Sequence, residues 1–506
     1  MFESKSFKKA LIGSTALLGS SLLAPTAALA ANCPVMVNGS VLAGIICNFN
    51  GISPSGSSVT IENGGTVGGL QMGNYQPTNS FILINNGGAI ANTTGIGIAV
   101  NGSSSLSGGI TNSGTISAQS GIAITSNSVI NGGITNHGII SSNTTGITIG
   151  GNSIINGDIT NTGHITSTSA TGIRIATSTI TGGINNSGTI SGGGVDSGIS
   201  IIANSTIADG ILNTSSGTIE ADAGNAIDIS LSRITGGITN NGTISSTSGN
   251  GIRVSNVSNI VGNIDNSGTL TGGNNGILLL SSSAISGSII NETNGRISGG
   301  NAGILVSSST INGGIVNGAN ATISGGATGI SVSSSTISGG IQNHGTIQGD
   351  VLAINISNST VSSIDLYGGS RVIGAIEAPN TDVNILGNFT TEGTMNVNAV
   401  DISSGKVFTM ANTITAGSGV NNAGTLAVGA THQTIAGNYT QLTGGMLKIG
   451  VQNTTTYGQL AVTNAVDLSQ SGAISVDLLN GAHIAAGNVL TNVISGNTLV
   501  APGGGL

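Results

Sequence analysis

An asparagine returns along most of this chain at nearly constant intervals, within a unit that reads roughly G-I-x-I…S-x-I-x-G-G-I-x-N-x-G-x-I-S. Its positions are Asn63, Asn86, Asn112, Asn136, Asn161, Asn186, Asn213, Asn240, Asn266, Asn291, Asn317 and Asn343, each step close to two dozen residues long. A fixed period in this range marks stacked coils, each unable to bury its apolar face without its neighbours. One copy holds three short apolar segments: Gly121-Ile122-Ala123-Ile124, Val129-Ile130 through Gly133-Ile134, and Gly138 to Ile140. Short runs rich in β-branched residues and bounded by Gly, Ser and Asn read as strands. The fold expected is all-β: a right-handed parallel β-helix of three-strand coils, about twelve or more rungs long. The other sides of each coil supply the crossover that parallel strands require. Twelve coils stacked about 4.8 Å apart make a rod roughly 55–60 Å long before the C-terminal part is added.

Parity gives the coil its inside and outside. In Ile110-Thr111-Asn112-Ser113-Gly114-Thr115-Ile116, the residues Ile110, Asn112, Gly114 and Ile116 share one face at period two. Thr111 and Thr115 fall on the other face. The repeat Asn is followed by an Ile-like residue four positions later in nine copies, and six later after Asn213, Asn291 and Asn317. Insertions of two preserve every side chain's face, whereas an insertion of one would flip them. An inward Asn repeated at the coil spacing is expected to form an amide ladder, drawn through Asn112, Asn136, Asn161, Asn186, Asn240, Asn266 and Asn343.

Composition narrows the function. Of 506 residues, 37% are hydrophobic but only 6% are charged and 2% aromatic, with no Trp and 86 Gly. That excludes an ordinary globular core of large side chains, while the ordered apolar positions argue against disorder. No lysine lies between Lys9 and Lys406, and the net charge is −8. Nucleic acid is therefore not an expected partner, because phosphate backbones call for clustered Lys and Arg.

The segment from Met1 to Ala30 has the three parts of a secretory signal: basic Lys5, Lys8 and Lys9, an apolar core from Ala10 to Leu23, and Ala28-Leu29-Ala30 as cleavage site. Cleavage between Ala30 and Ala31 is expected, leaving an exported protein that is displayed at the cell surface, associated with the outer membrane, or secreted. Cys33 and Cys47 are the only cysteines. In an oxidising compartment they are expected to form one disulfide, worth roughly 3 kcal/mol by loop entropy. The chain then divides into a signal (1–30), an N-terminal cap (31–60), repeated coils (61–365), an irregular β-helical continuation (366–430) and a C-terminal region (431–506).

That last region contains Tyr439, Gln441, Gly444, Gly445, Leu447 and Ile449 in the pattern Y-x-Q-x-x-G-G-x-L-x-I, followed by Tyr457-Gly458-Gln459-Leu460-Ala461-Val462. Here the chain resembles the C-terminal passenger region of bacterial autotransporters, in which such strands close a β-helix just before the membrane-inserted translocator. The resemblance implies a passenger that crosses the outer membrane and folds outside, its C-terminal coils first. It also implies a partner, the translocator barrel, built of roughly ten-residue amphipathic strands. The segment Ala501-Pro502-Gly503-Gly504-Gly505-Leu506 carries no such strand, so the barrel is expected either later in the same gene or as a separate protein.

Catalytic groupings are sparse. Stacking should align the residues between the two Ile-like positions of G-I-x-I, namely Arg174, Ser200, Asp228 and Arg253, and bring Asp228 beside Arg253. Glycan-cleaving β-helices need paired carboxylates or a basic residue in a groove, and an exposed ion pair is the plainer reading. His137, His164 and His344 fall on the outward parity in separate coils and read as solvated substitutions. Gly192-Gly193-Gly194-Val195-Asp196 is a single copy of a calcium-binding pattern that works in tandem. No cofactor, metal or enzymatic activity is expected. Outward Thr-Ile-Ser groups (Thr115/Ser117, Thr189/Ser191, Thr243/Ser245, Thr322/Ser324) form hydroxyl columns, which allows an ice-binding or purely structural role as an alternative; a β-helical polysaccharide lyase or hydrolase is another. The function expected is contact: an adhesin or biofilm factor meeting glycans or proteins on host or neighbouring cells.

Overall fold

The computed structural model describes residues 41–50, 59–61, 66–73, 82–84, 87–470, 473–482, 484–485 and 487–501. The expected signal segment with its Ala30–Ala31 cleavage site, and Cys33 with its expected pairing to Cys47, lie outside these residues.

The described chain is all β, with no helix, wound into a parallel β-helix of about 16 turns. One regular coil contains the strands Ile147–Ile149, Ile154–Ile155, Ile159–Asn161 and His164–Ser167. The three apolar segments of the repeat are all present; the middle one is broken by a bend at Asn156-Gly157-Asp158, so that it forms the second and third strands of the coil. Each strand pairs with its equivalent one coil away. Ile159 lies beside Ile134 on one side and Ile184 on the other, and Asn161 beside Asn136 and Asn186. The second strands form their own sheet of 11 among the described residues, from Ser105–Leu106 to Thr360–Val361.

Isoleucine fills the interior because its β-branched side chain packs well on a pleated surface and stacks on a copy of itself. Ile134, Ile159, Ile184, Ile238 and their equivalents in the other strands are 0–1% exposed. Each contributes about 1.5–3 kcal/mol on burial. The two-residue insertions behave as parity requires: Ile190 pairs with Ile219, and Asn186 with Asn213, across the longer spacing after Asn213.

The interior polar residues are self-complementary. Nine consecutive bonds of 2.7–2.9 Å run from each ladder Nδ2 to the next Oδ1, from Asn112 through Asn343. Asn213, Asn291 and Asn317 belong to the same column despite their longer spacing. Each amide also donates to backbone at the bend. Asn213 Nδ2 lies 3.1 Å from Gly217 O and 3.0 Å from Thr243 O in the next coil. The glycine after the Asn is forced by this stacking, since a Cβ on Gly163 would overlap the Gly138 carbonyl oxygen. At the start of the ladder the register sets Ile84 opposite Asn112; Asn86 lies outside the described residues. The Asn112 Oδ1 at this end is buried without a partner.

A second polar column carries no role in the sequence reading. Buried Ser128, Ser153, Ser178, Ser205 and Ser232 precede the second strand, each backbone N–H donating to the Oγ of the next at 3.2–3.3 Å. Its signal was the constant Ser of S-x-I in the repeat. The column anchors a corner whose residues adopt positive φ in coil after coil, among them Asn152, Thr177, Leu231 and Val257.

After Val361 the second strand is lost and the coils contract. One interior column passes from Leu366 to Ile385, Ile402, Asn422 and Gln441, and each of these steps is shorter than any between ladder residues of the regular coils. The same residues show the ladder column turning apolar beyond Asn343 and polar again at Asn422.

Two stability outcomes follow from this packing. Asn240→Ala leaves the buried Asn266 Oδ1 without its donor and removes one bond each from the Asn213 amide and the Thr269 carbonyl, and should cost roughly 3 kcal/mol at about 1–3 kcal/mol per buried unsatisfied group, read from urea unfolding of the full chain. Val257 sits at φ 61°, which a β-branched residue adopts with strain. Val257→Asn should therefore raise stability by about 1 kcal/mol in the same measurement.

Candidate functional site

With the ladder Asn and the Ile columns enclosed, the groups available for chemistry or contact are the outward columns. They rise along the rod at one residue per coil. On the fourth strand one column runs Thr115, Ile139, His164, Thr189, Thr218, Thr243, Thr269, Arg296, Thr322 and Thr346. The hydroxyl face is thus broken by Ile139, 43% exposed, as well as by His164 and Arg296. Its partner column runs Ser117, Ser141, Thr166, Ser191, Glu220 and Ser245.

The first-strand column aligns as expected. Arg174 pairs with Ser200, Ser200 with Asp228 and Asp228 with Arg253. The ion pair is long, 3.7 Å from Arg253 Nη1 to Asp228 Oδ1, and it is not the exposed pair expected: the Asp228 side chain is only 16% exposed. Neighbouring coils close over this short side chain, and its Oδ1 has no hydrogen-bond partner. Burial pushes the Asp228 carboxyl above its ordinary range, only partly offset by the charge of Arg253. Among the described residues no third ionisable group joins the pair to form a catalytic constellation, and no three His, Cys, Asp or Glu side chains gather as a metal site. Gly192 to Asp196 forms an outward loop with Val195 81% exposed.

The histidines differ from one another. His164 is exposed, and His137 Nδ1 lies 2.8 Å from Thr162 Oγ1. His344 is not simply solvated: its ring stacks on Tyr367 from the next coil, with centroids 3.9 Å apart and planes 12° from parallel.

Charge gathers outside the contracted coils. Arg371 holds Glu392 through two bonds of 2.8 Å, which draws the Glu392 carboxyl below its usual range. Other carboxylates there are paired with amides: Asn384 donates to Asp365 at 2.7 Å, Asn398 to Asp382 at 2.7 Å, Asn421 to Asp401 at 2.8 Å, and Asn396 to Glu377. A carboxylate stacked on an amide accepts a bond, whereas one stacked on a second carboxylate would be repelled.

The C-terminal sequence pattern is interior structure. Tyr439 is fully buried, its hydroxyl accepting from Asn422 Nδ2 at 3.0 Å and donating to Gln441 Oε1 at 2.9 Å. Gln441 Nε2 then donates to Gly445 O and Ala473 O at 3.3 and 3.1 Å. Burial pushes the phenol well above its ordinary pKa, so it remains neutral. Gly444 supplies a positive φ of 80° in the turn that follows. Tyr457 closes the region outside, donating to Thr491 O at 2.8 Å.

Neither a protein-family model nor a curated protein matches the chain.

The raised carboxyl gives a signed prediction. The folded state holds the Asp228 proton more tightly than the unfolded chain, so its contribution is favourable below the ordinary carboxylate pKa of about 3.9 and is lost as pH rises through the raised value. Asp228→Asn should therefore increase the urea midpoint at pH 7, and the gain should shrink towards pH 3.5.

Proposed function

We propose that this chain is an exported, surface-displayed β-helical passenger that acts by contact, as an adhesin or biofilm factor. The observation that supports this reading is the side of the rod, where columns of mostly uncharged, hydrogen-bonding residues rise through coil after coil. Such a surface offers much area for contact. It suits many weak, simultaneous contacts, whose combined strength exceeds that of any one of them. An outer-membrane translocator barrel, in the same gene or separate, would carry it to the cell exterior. Its counterparts would be glycans or proteins of host or neighbouring cells.

The test is attachment by cells that display the full chain against cells displaying a version without residues 137–213. That deletion joins Asn136 to Thr214 and removes three whole coils without changing any side chain's face. Shortening the contact surface should reduce attachment or cell–cell aggregation severalfold. Equal attachment by both, at the level of cells displaying neither, would overturn the reading.

A polysaccharide lyase or hydrolase is the second reading, favoured by the half-buried Asp228 and its raised pKa. It predicts turnover of an acidic glycan that Asp228→Ala abolishes.

A further inference from the structure

One outward column changes character where the interior does. In the regular coils the outward residue of the third strand varies in kind, running Thr160, Asn185, Leu212, Thr239, Asp265, Ile290 and Val316. From Gln342 it is an amide or a carboxylate in five successive coils, Gln342, Asp365, Asn384, Asp401 and Asn421, and the rings of His344 and Tyr367 follow two positions after the first two. The interior changes at the same coils, from Asn343 to Leu366 and Ile385. An apolar interior makes no demand for amides and rings outside.

The geometry is ordered before any partner arrives. The bond from Asn384 Nδ2 to Asp365 Oδ1, 2.7 Å, fixes two planar groups against one another. It leaves Asp365 Oδ2, Asn384 Oδ1 and one Asn384 N–H available outward. Since His344 and Tyr367 stack on each other along the rod, one face of each ring is covered by the other, and their rims, with the phenol hydroxyl and imidazole nitrogens, remain at the half-exposed surface. Both rings are thereby held in one orientation, which lowers the entropy cost of binding.

We infer that this strip binds a linear glycan without acidic groups, lying along the rod axis and hydrogen-bonded through its hydroxyls coil by coil. This deepens the contact reading and rests on it. Hydrogen-bonding groups recur here at the strand spacing of about 4.8 Å, so a chain of repeating hydroxyl-rich units meets equivalent partners at each step. A protein partner fits poorly: among the described residues between Val351 and Leu442 no large apolar side chain is exposed, whereas protein interfaces are anchored by apolar and aromatic side chains in a desolvated centre. Acidic polymers fit poorly too, because Asp365 has no ion pair among the described residues and would repel them.

The test measures retention of the purified full chain on immobilised cellohexaose, chitohexaose and polygalacturonate. Retention is expected on at least one neutral hexasaccharide and not on polygalacturonate. Tyr367→Ala and Asn384→Ala should each weaken it tenfold or more, and Thr160→Ala, in the same column of a regular coil, should leave it unchanged. Asp365→Asn keeps the planar shape, serving as a variant that folds if the others do not, and should retain neutral-glycan binding while losing discrimination against polygalacturonate. No retention on either neutral hexasaccharide, a preference for polygalacturonate, or equal losses in all variants would overturn the assignment. Cell attachment measured with Asn384→Ala separates the two proposals: attachment intact in a variant that folds sinks the strip alone, and no attachment by the unaltered chain sinks the contact reading.

Discussion

Coil stacks on coil at the spacing of a β-sheet, so nearly every residue in this rod lies against its own equivalent one turn away. That condition selects side chains by how well they tolerate a copy of themselves. Isoleucine does so by shape. Asparagine does so because its amide both donates and accepts, and serine because its hydroxyl accepts a neighbouring N–H while donating to its own coil, as Ser153 does to Gly150. Carboxylates do so poorly, which accounts for a chain with 6% charged residues and for acids that alternate with amides in the column Asp365, Asn384, Asp401, Asn421.

The ladder's two ends show what the amides do. At Asn343 the last Nδ2 turns to a backbone carbonyl, that of Arg371 at 3.0 Å, and the column becomes Leu366, Ile385 and Ile402. Coils shorten at once, for the second strand is gone as well. Polarity returns with Asn422, Tyr439 and Gln441, which satisfy each other across two coils instead of each stacking on its twin. The rod thus has a long regular part and a contracted part with a different interior pattern of hydrogen bonds. The outward residues change character across the same boundary.

Much of this was legible in the chain itself. The period, the inward parity of Ile110, Asn112 and Ile116, and the neighbourhood of Arg174, Ser200, Asp228 and Arg253 all follow from counting, since a two-residue alternation and a fixed repeat leave little freedom. Other features were not. Asp228 read as exposed because parity gives direction but not the height of the neighbouring coils. His344 read as solvated because its partner, Tyr367, belongs to the following coil and falls beside it only after a full turn of the chain.

By itself, then, the sequence determined what repeats: the stacked coil, its apolar lining and the residues able to form a ladder, because each is a local pattern recurring at one period. Only the tertiary structure decided which equivalents meet, how deeply an outward group sinks, and where amides, rings and carboxylates from different turns adjoin. Those contacts join residues separated by a whole turn of the coil, and their distances are set by the winding of the chain and not by any local preference.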